Sequence, residues 1–349
     1  PDDPLALGMV DALEEAGIPA FGPRKNAAVI ESSKVFSKNL MRKYGIPTAE
    51  FEVFDDLAEA ESYIRKKGAP IVVKADGLAL GKGVVVAETV EQAVEALREM
   101  MVERKFGESG SRVVIEEYMT GPEVTVLAFT DGKTIRPMPS SQDHKRVFDG
   151  NRGPNTGGMG AFTPSPYYTP EIAEECMRTI FRPTVEAMNS EGRPFKGVLY
   201  FGLMLTPKGP RVVEYNARFG DPETQPLLTL LESDLMEIFQ AVREERLEEV
   251  DIRFKNEAAC CVVLASGGYP GSYEKGFEIT GLDKVPEDIV VYHAGTVLDG
   301  GVYRTNGGRV LGVTATGPTL AKAAKRAYDG VDCISFRNMH YRKDIARDL

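Results

Sequence analysis

Three stretches of this 349-residue chain join residue types and spacings that can do chemistry. In the first, residues 71–86, a strand delivers Lys74 to a loop holding Gly77, Gly81, Lys82 and Gly83, and a second strand follows. Glycines let backbone N–H groups approach phosphate oxygens, and lysines add charge. The spacing is not that of a Walker A loop, because Gly83 follows Lys82 where a hydroxyl is required. Nor is it a Rossmann fingerprint, since a strand rather than a helix comes next. A plain glycine-rich hairpin is the alternative; two lysines beside three glycines favour phosphate. Lys74 is expected to end its strand, so that truncating it opens no core cavity.

The second stretch is 113–123. A strand running into a loop presents alternating backbone donors and acceptors, which suits an adenine edge. Glu116 would take the exocyclic amine and Glu123 the ribose hydroxyls. Taken alone, this stretch reads better as an acidic strand end facing solvent. In the third, 212–225, Glu214 and Asn216 alternate on one face of a strand end. Two oxygen ligands on one face suit Mg²⁺ bridging phosphates, since that ion keeps several waters. Arg218 on the same side could stabilise charge on a transferring phosphoryl group. An ordinary charge cluster on an edge strand is the alternative here.

The elements that must position these residues follow from periodicity. Helices are expected over 4–16, 32–44, 57–67 and 91–103, with strands over 18–21, 51–54, 71–74, 84–87 and 113–117. The β-α-β-β-α-β order within 48–119 is that of a split β-α-β domain. Strands follow near 123–130, 197–206 and 211–215, with helices over 170–190 and 233–247. Between them, 140–166 shows little periodicity over 27 residues, a length more often functional than idle. A third unit begins near 256, with strands over 258–265, 289–293 and 310–316 and a helix over 318–328.

Composition bounds the function. Lys+Arg 42 against Asp+Glu 52 leaves a net charge of −10, which argues against non-specific nucleic-acid binding while leaving room for a local basic pocket. The longest apolar run, near 258–265, is far short of the roughly 18 residues a membrane span needs. Cys176, Cys260, Cys261 and Cys333 show no CxxC spacing, so a reduced, cytoplasmic chain is expected. Three histidines and no thiol cluster disfavour zinc; any metal would be a hard cation on oxygen.

At its three motifs the chain resembles the ATP-grasp superfamily: a helix lysine (Lys34), a strand lysine before a glycine-rich loop (Lys74), the 116–119 Glu-Glu-Tyr-Met hinge and the Glu214-x-Asn216 strand. More finely it resembles the phosphoribosylamine–glycine ligase family. That likeness rests on His144-Lys145-Arg146, on Gly-Pro-Asn-Thr-Gly-Gly-Met-Gly at 153–160, and on Asn-Ala-Arg-Phe-Gly-Asp-Pro-Glu-Thr-Gln at 216–225. The segments 267–271, 305–309 and 341–344 agree, so the resemblance covers nearly the whole chain. It implies an α/β (α+β) protein: an ATP-grasp fold with a small lid domain at 48–119, a central domain at 32–47 and 120–255, a C-terminal α/β domain at 256–349, and at 1–31 a truncated remnant of an N-terminal Rossmann-like domain.

The resemblance further implies an ATP-dependent ligase of purine biosynthesis. It would join glycine to 5-phosphoribosylamine through a glycyl phosphate, giving glycinamide ribonucleotide, ADP and phosphate. Lys34 and Lys74 would hold ATP phosphates, with Lys74 and Arg218 catalytic. Gly77, Gly81, Lys82, Gly83, Glu116, Glu117, Met119 and Glu123 would complete the ATP site, and Glu214 and Asn216 would hold Mg²⁺ or Mn²⁺. Asp143, Lys145, Arg146, Asn155, Thr156, Gly157, Gly158, Met159, Asp221, Glu223 and Arg309 would line the glycine and phosphoribosylamine side. Partners would be these small molecules, with no nucleic acid and no membrane, and the protein a monomer or homodimer. Two departures stand out. The strand near 197–205 carries no acid for a further metal carboxylate, and the family's opening glycine-rich turn is not present. The expectation is therefore a complete nucleotide site within 34–218, an incomplete phosphoribosylamine site, and little product from this chain alone. Two rivals are a different ATP-grasp carboxylate–amine ligase, disfavoured by 154–160 and 221–223, and an ATP-binding fragment without ligase activity.

Overall fold

A single hydroxyl sets the start of the helix expected over 32–44. Ser33 accepts the Phe36 N–H at 3.1 Å, capping a helix over Lys34–Tyr44, while the preceding helix stops at Ser32 (Lys25–Ser32). Gly45, at φ 67°, ends the second helix in the left-handed conformation that glycine adopts readily. Gly8, at φ 99°, likewise splits the expected 4–16 helix into Asp2–Leu7 and Met9–Glu15. The strand expected over 18–21 does not form: the Ile18 N–H closes the helix end on Leu13 O at 2.8 Å, and no ladder partner is present among the described residues. These features come from a computed structural model that describes residues 2–78 and 83–347.

The chain forms two compact units, each assembled from separated stretches. The first comprises residues up to 137, then 169–219 and 236–251. It holds two four-stranded antiparallel sheets. One runs in the order Phe51–Phe54, Val113–Glu117, Ile71–Ala75, Val84–Ala87. Each β-α-β segment thus has a strand of the other inserted between its own two. Helices Leu57–Lys67 and Val90–Leu97 supply Ile64 and Leu97 to a core with Val73 and Ile115. The helix expected to continue to 103 changes to a wider turn at Arg98–Val102, closed by Glu103 N–H on Arg98 O. The second sheet runs Gly209–Asn216, Gly197–Thr206, Glu123–Thr130, Ile135–Pro137. Its first pair slips register beside Gly202, which leaves Val213 as the extra residue of a bulge. The 170–190 helix is also interrupted by a wide turn, Met177–Phe181, between Pro170–Cys176 and Arg182–Ser190.

The second unit comprises 138–168, 220–235 and 252 onward. Its sheet runs Val290–His293, Arg309–Gly317, Ala258–Ser266, Gly160–Thr163, Gln142–Asp143, with Met339–His340 also pairing on Ala258–Ser266. All nine residues of Ala258–Ser266 are buried, because both faces of the strand are covered. Adjacent Cys260 and Cys261 therefore point to opposite sides and are both fully buried. Helix Leu320–Val331 packs Ala323, Ala327 and Tyr328 into the core with Phe162, Leu264 and Val313. The stretch expected to be aperiodic, 140–166, is folded: besides two strands of this sheet it forms a hairpin of Arg146–Phe148 with Arg152–Asn155.

Candidate active site

Lys74 lies inside its strand, Ile71–Ala75, rather than at its end, and is 5% exposed. Its Nζ is 2.9 Å from Glu116 Oε2 and donates to Val213 O at 3.2 Å, the carbonyl of the bulge. Lys38, equally buried, faces Glu116 Oε1 at 3.1 Å and donates to Thr48 Oγ1 at 2.7 Å; that hydroxyl in turn donates to Val212 O at 2.7 Å. A buried ion triad thus ties the two sheets of the first unit together. Burial alone would raise the Glu116 carboxyl, but Lys74 and Lys38 hold it below the ordinary carboxylate range. Burial pulls Lys38 down to about 8 against the opposing pull of Glu116. Glu116 was expected to take an adenine amine; its carboxylate pairs instead with two ammonium groups, as charge this deeply buried requires.

Lys34 donates to Gly77 O at 2.8 Å, so the helix lysine meets the start of the glycine-rich loop. Burial lowers its ammonium, Glu214 opposes this most strongly, and Lys74 adds to the lowering. Asp76 fixes the same corner. Its Oδ1 accepts Ser33 Oγ at 3.0 Å and the Val35 N–H at 3.1 Å, and Arg112 meets Oδ2 at 2.6 Å. Gly83 O accepts the Ala75 N–H at 2.8 Å; Gly81 and Lys82 lie outside the described residues. Along the hinge, Glu117 accepts the Glu50 N–H at 3.0 Å and Arg211 Nη1 at 2.7 Å, Met119 is half-buried and Glu123 exposed.

Glu214 and Asn216 are half-buried on one face of Gly209–Asn216, with Tyr215 buried on the other. Arg218 Nη2 pairs with Glu31 Oε1 at 3.1 Å, and the Ala217 N–H donates to Glu31 Oε2 at 2.7 Å. Lys38, Asp76 and Glu31 carry no motif of their own. The one signal for Glu31 is a carboxylate in the last turn of a helix, where the macrodipole disfavours it.

In the second unit, Arg309 gathers the glycine loop. Its Nη1 donates to Gly157 O and Asp221 O, both at 2.8 Å, and its Nη2 lies 3.2 Å from Asp221 Oδ2. The Gly157 N–H donates to Tyr269 Oη at 3.0 Å, a side chain from the 267–271 segment of the resemblance that was assigned no role there. Thr156 donates through Oγ1 to Lys145 O at 2.9 Å and accepts the Gly158 N–H at 2.9 Å. Gly158 has φ +115°, and a Cβ there would stand 2.4 Å from Pro222 Cδ. Arg146 donates to Gly153 O at 2.7 Å across its hairpin, opposite exposed Asn155. Asp143 is half-buried on the edge strand opposite Ala161. Two expected lining residues face inward instead: Met159 packs with Val147 and Ala265 in the core, and Glu223 is 4% exposed beside helix Thr224–Leu230. Beneath the hairpin, Arg342 is 1% exposed. It meets both Asp344 oxygens, at 2.7 and 2.6 Å, Asn151 Oδ1 at 2.9 Å and Arg146 O at 3.1 Å.

Comparison with known proteins decides the family. Residues 32–224 match the profile of the phosphoribosylglycinamide synthetase ATP-grasp (A) domain, and residues 259–348 that of its C domain. The chain is 50% identical to phosphoribosylamine–glycine ligase of Vibrio vulnificus over 347 residues, covering 99% of this chain and 81% of that protein. The chain belongs to the phosphoribosylglycinamide synthetase family. The crystal structure of phosphoribosylamine–glycine ligase from Thermotoga maritima is 38% identical and superposes with a TM-score of 0.85, over 93% of this chain and 81% of that one. The fold alone is shared with the biotin carboxylase domain of Hydrogenobacter thermophilus 2-oxoglutarate carboxylase, crystallised with MgADP and bicarbonate: 16% identity, TM-score 0.73, 95% of this chain and 72% of that one. This synthetase-family chain is thus an ATP-grasp protein of the α/β class and an ATP-dependent ligase of purine biosynthesis, acting on small molecules. No helix among the described residues is long and apolar enough to cross a membrane.

The donor set of the phosphoribosylglycinamide synthetase strand fits a hard divalent cation. The Asn216 amide is satisfied when its nitrogen donates to Glu31 Oε1 at 3.0 Å and Tyr215 O at 3.1 Å, which turns its oxygen away from both. That oxygen and the Glu214 carboxylate are hard ligands on one face. Among the described residues no group of three His, Cys, Asp or Glu side chains could hold a metal, so most ligand positions would fall to water and phosphate.

Proposed function

We propose that the first unit holds MgATP, or MnATP, with its phosphates between Lys34 and Lys74 on one side and Glu214 and Asn216 on the other. The observation that carries this is the buried corner itself. Three lysines, Lys34, Lys38 and Lys74, converge where Glu116 is spent on two of them, and Glu214 is the foremost opposing charge for Lys34. An anion entering there relieves the desolvation of the ammonium groups. Residues 48–119 act as a lid over the nucleotide against the central domain of 32–47 and 120–255, with Glu117, Met119 and Glu123 along the hinge at adenine and ribose. Residues 256–349 form the C-terminal domain.

A carboxylate is a poor acyl donor, and ATP supplies the leaving group. The glycine carboxylate oxygen attacks the γ-phosphorus, the bond to the bridging oxygen breaks, and ADP leaves with that electron pair. The amine of phosphoribosylamine then attacks the glycyl carbonyl carbon, phosphate departs, and the amine gives up a proton to form the amide. A bound divalent cation would neutralise charge on the phosphate oxygens. Arg218 faces the acyl phosphate, and Lys74 stabilises charge on the transferring group. Asp143, Lys145, Arg146, Asn155–Gly158, Asp221 and Arg309 are assigned to binding glycine and phosphoribosylamine. The protein works in the cytoplasm as a monomer or homodimer, and its four free thiols suit a reducing compartment. Trapping with hydroxylamine tests the scheme: glycine and ATP without phosphoribosylamine should yield glycine hydroxamate with ADP. ADP release indifferent to glycine would sink it.

A further inference from the structure

We infer that Glu31 is a positioning residue that orients the metal-side amide of Asn216 and the guanidinium of Arg218 together. This rests on the reading of Asn216 as a metal ligand and Arg218 as the acyl-phosphate partner. Glu31 lies in helix Lys25–Ser32, outside every motif, and its carboxylate is 7% exposed. Oε1 pairs with Arg218 Nη2 at 3.1 Å and, with the Asn216 amide assigned nitrogen-inward by its hydrogen-bond partners, accepts Asn216 Nδ2 at 3.0 Å, while Oε2 accepts the Ala217 N–H at 2.7 Å. One carboxylate thus takes a donor from each of three consecutive residues where the strand ends.

Each contact constrains a different degree of freedom. A primary amide has a broad, two-fold terminal torsion, so Asn216 can present oxygen or NH₂ to a cation with little intrinsic preference. A carboxylate behind it selects the orientation with nitrogen inward and oxygen outward. Arg218 has a long, mobile side chain, and its fork is fixed by Glu31 and by Phe219 O, which accepts Nη1 at 3.2 Å. The Ala217 N–H anchors the backbone between the two. A buried carboxylate is costly without such partners, and its place in a helix's last turn opposes the macrodipole, so local structure does not account for it. The arrangement is the outer layer that ligating side chains need to hold their orientation.

Calorimetry of ATP binding, with and without Mg²⁺, on the wild-type chain, Glu31→Ala, Glu31→Gln and Asn216→Ala tests this. Affinity without divalent metal should be unchanged in Glu31→Ala, whereas the tightening brought by Mg²⁺ should shrink about tenfold, the usual cost of losing a group behind a ligand. Glu31→Gln, which keeps one acceptor oxygen, should recover part of that tightening, and it carries the test if the alanine variant fails to fold. In turnover, the KM for MgATP should rise in step with that loss and kcat should fall. If Glu31→Ala and Glu31→Gln tighten on Mg²⁺ like wild type while Asn216→Ala does not, the positioning role is overturned and the metal site stands. If Asn216→Ala also tightens like wild type, the metal reading itself fails and takes the inference with it.

Discussion

At the scale of single residues, Lys74 carries two loads, and they separate by mutation. Its ammonium serves the phosphate corner and also neutralises half of a carboxylate that is 3% exposed. Lys74→Met should abolish tight ATP binding and also destabilise the protein by about 3 kcal/mol or more, because Glu116 is left buried with one partner. Adding Glu116→Gln should cost further stability, because buried Lys38 then loses its carboxylate, and should restore none of the ATP affinity; denaturant melts and calorimetry on both variants check this. Glu214→Gln should behave differently. Its expected cost falls on turnover more than on nucleotide affinity, with partial rescue at raised Mg²⁺, since a metal ligand acts mostly on charge developing in the transition state. Unchanged turnover at low Mg²⁺ would remove Glu214 from the ligand set. Lys74, Glu214 and Arg218 could be singled out because each sits at a fixed spacing from glycines or from other polar residues, and Lys34 only through the family resemblance. Lys38, Glu31 and Asp76 could not. Their partners are Glu116, the 216–218 turn, and Ser33 with Arg112, and nothing local records such distant pairings.

Whole elements were legible where the period of burial matched the length of the element. The strands Phe51–Phe54 and Val113–Glu117 and the helix Leu57–Lys67 fall where alternation and 3.6-residue spacing put them. Helix breaks were not legible, because the wide turns at 98–102 and 177–181 leave the apolar stripe nearly continuous. The short strands between 142 and 163 escape for the opposite reason: two to four residues cannot show a period. That stretch makes two element-scale predictions. Gly158→Ala puts a side chain on a backbone at φ +115° and against the Pro222 ring. The loop should shift and the KM for glycine or phosphoribosylamine rise, while ATP affinity stays constant by calorimetry. His144, before the hairpin, has its imidazole lowered to about 4, first by burial and then by Arg342. Between about pH 6.5 and 4 the unfolded chain binds a proton that the folded chain refuses, so stability should fall as pH drops through that window. The loss approaches about 3 kcal/mol at its lower end. A His144→Gln variant should flatten this acid limb in pH-dependent urea melts; an unchanged slope would assign it to other groups.

For the molecule as a whole, the sequence motifs disclosed the family and the reaction, yet membership of the two units stayed hidden. Each is stitched from three separate stretches, and no local pattern says that 138–168 joins 252 onward. Because each unit buries its own core, a ligand held by the first should protect that unit. With MgATP at about 100 times its Kd, binding adds about 2.7 kcal/mol to the stability of the state that holds it. Hydrogen exchange should slow over Lys34–Tyr44, Ile71–Ala75 and Gly209–Asn216 and remain as it was over Ala258–Ser266; equal slowing in both places would contradict a nucleotide site confined to the first unit. The cysteines add a built-in clock. Cys176 is fully buried in the first unit, Cys260 and Cys261 on opposite faces of one strand in the second, and Cys333 is half-buried. Burial pushes the Cys261 thiol up to about 12 and Cys260 higher still, so neither offers thiolate to a reagent while its unit is closed. A thiol-reactive dye should therefore label Cys333 first. The later, separate appearance of label at Cys176 and at Cys260–Cys261, read by peptide mass, would time the breathing of each unit from native residues, with no probe introduced.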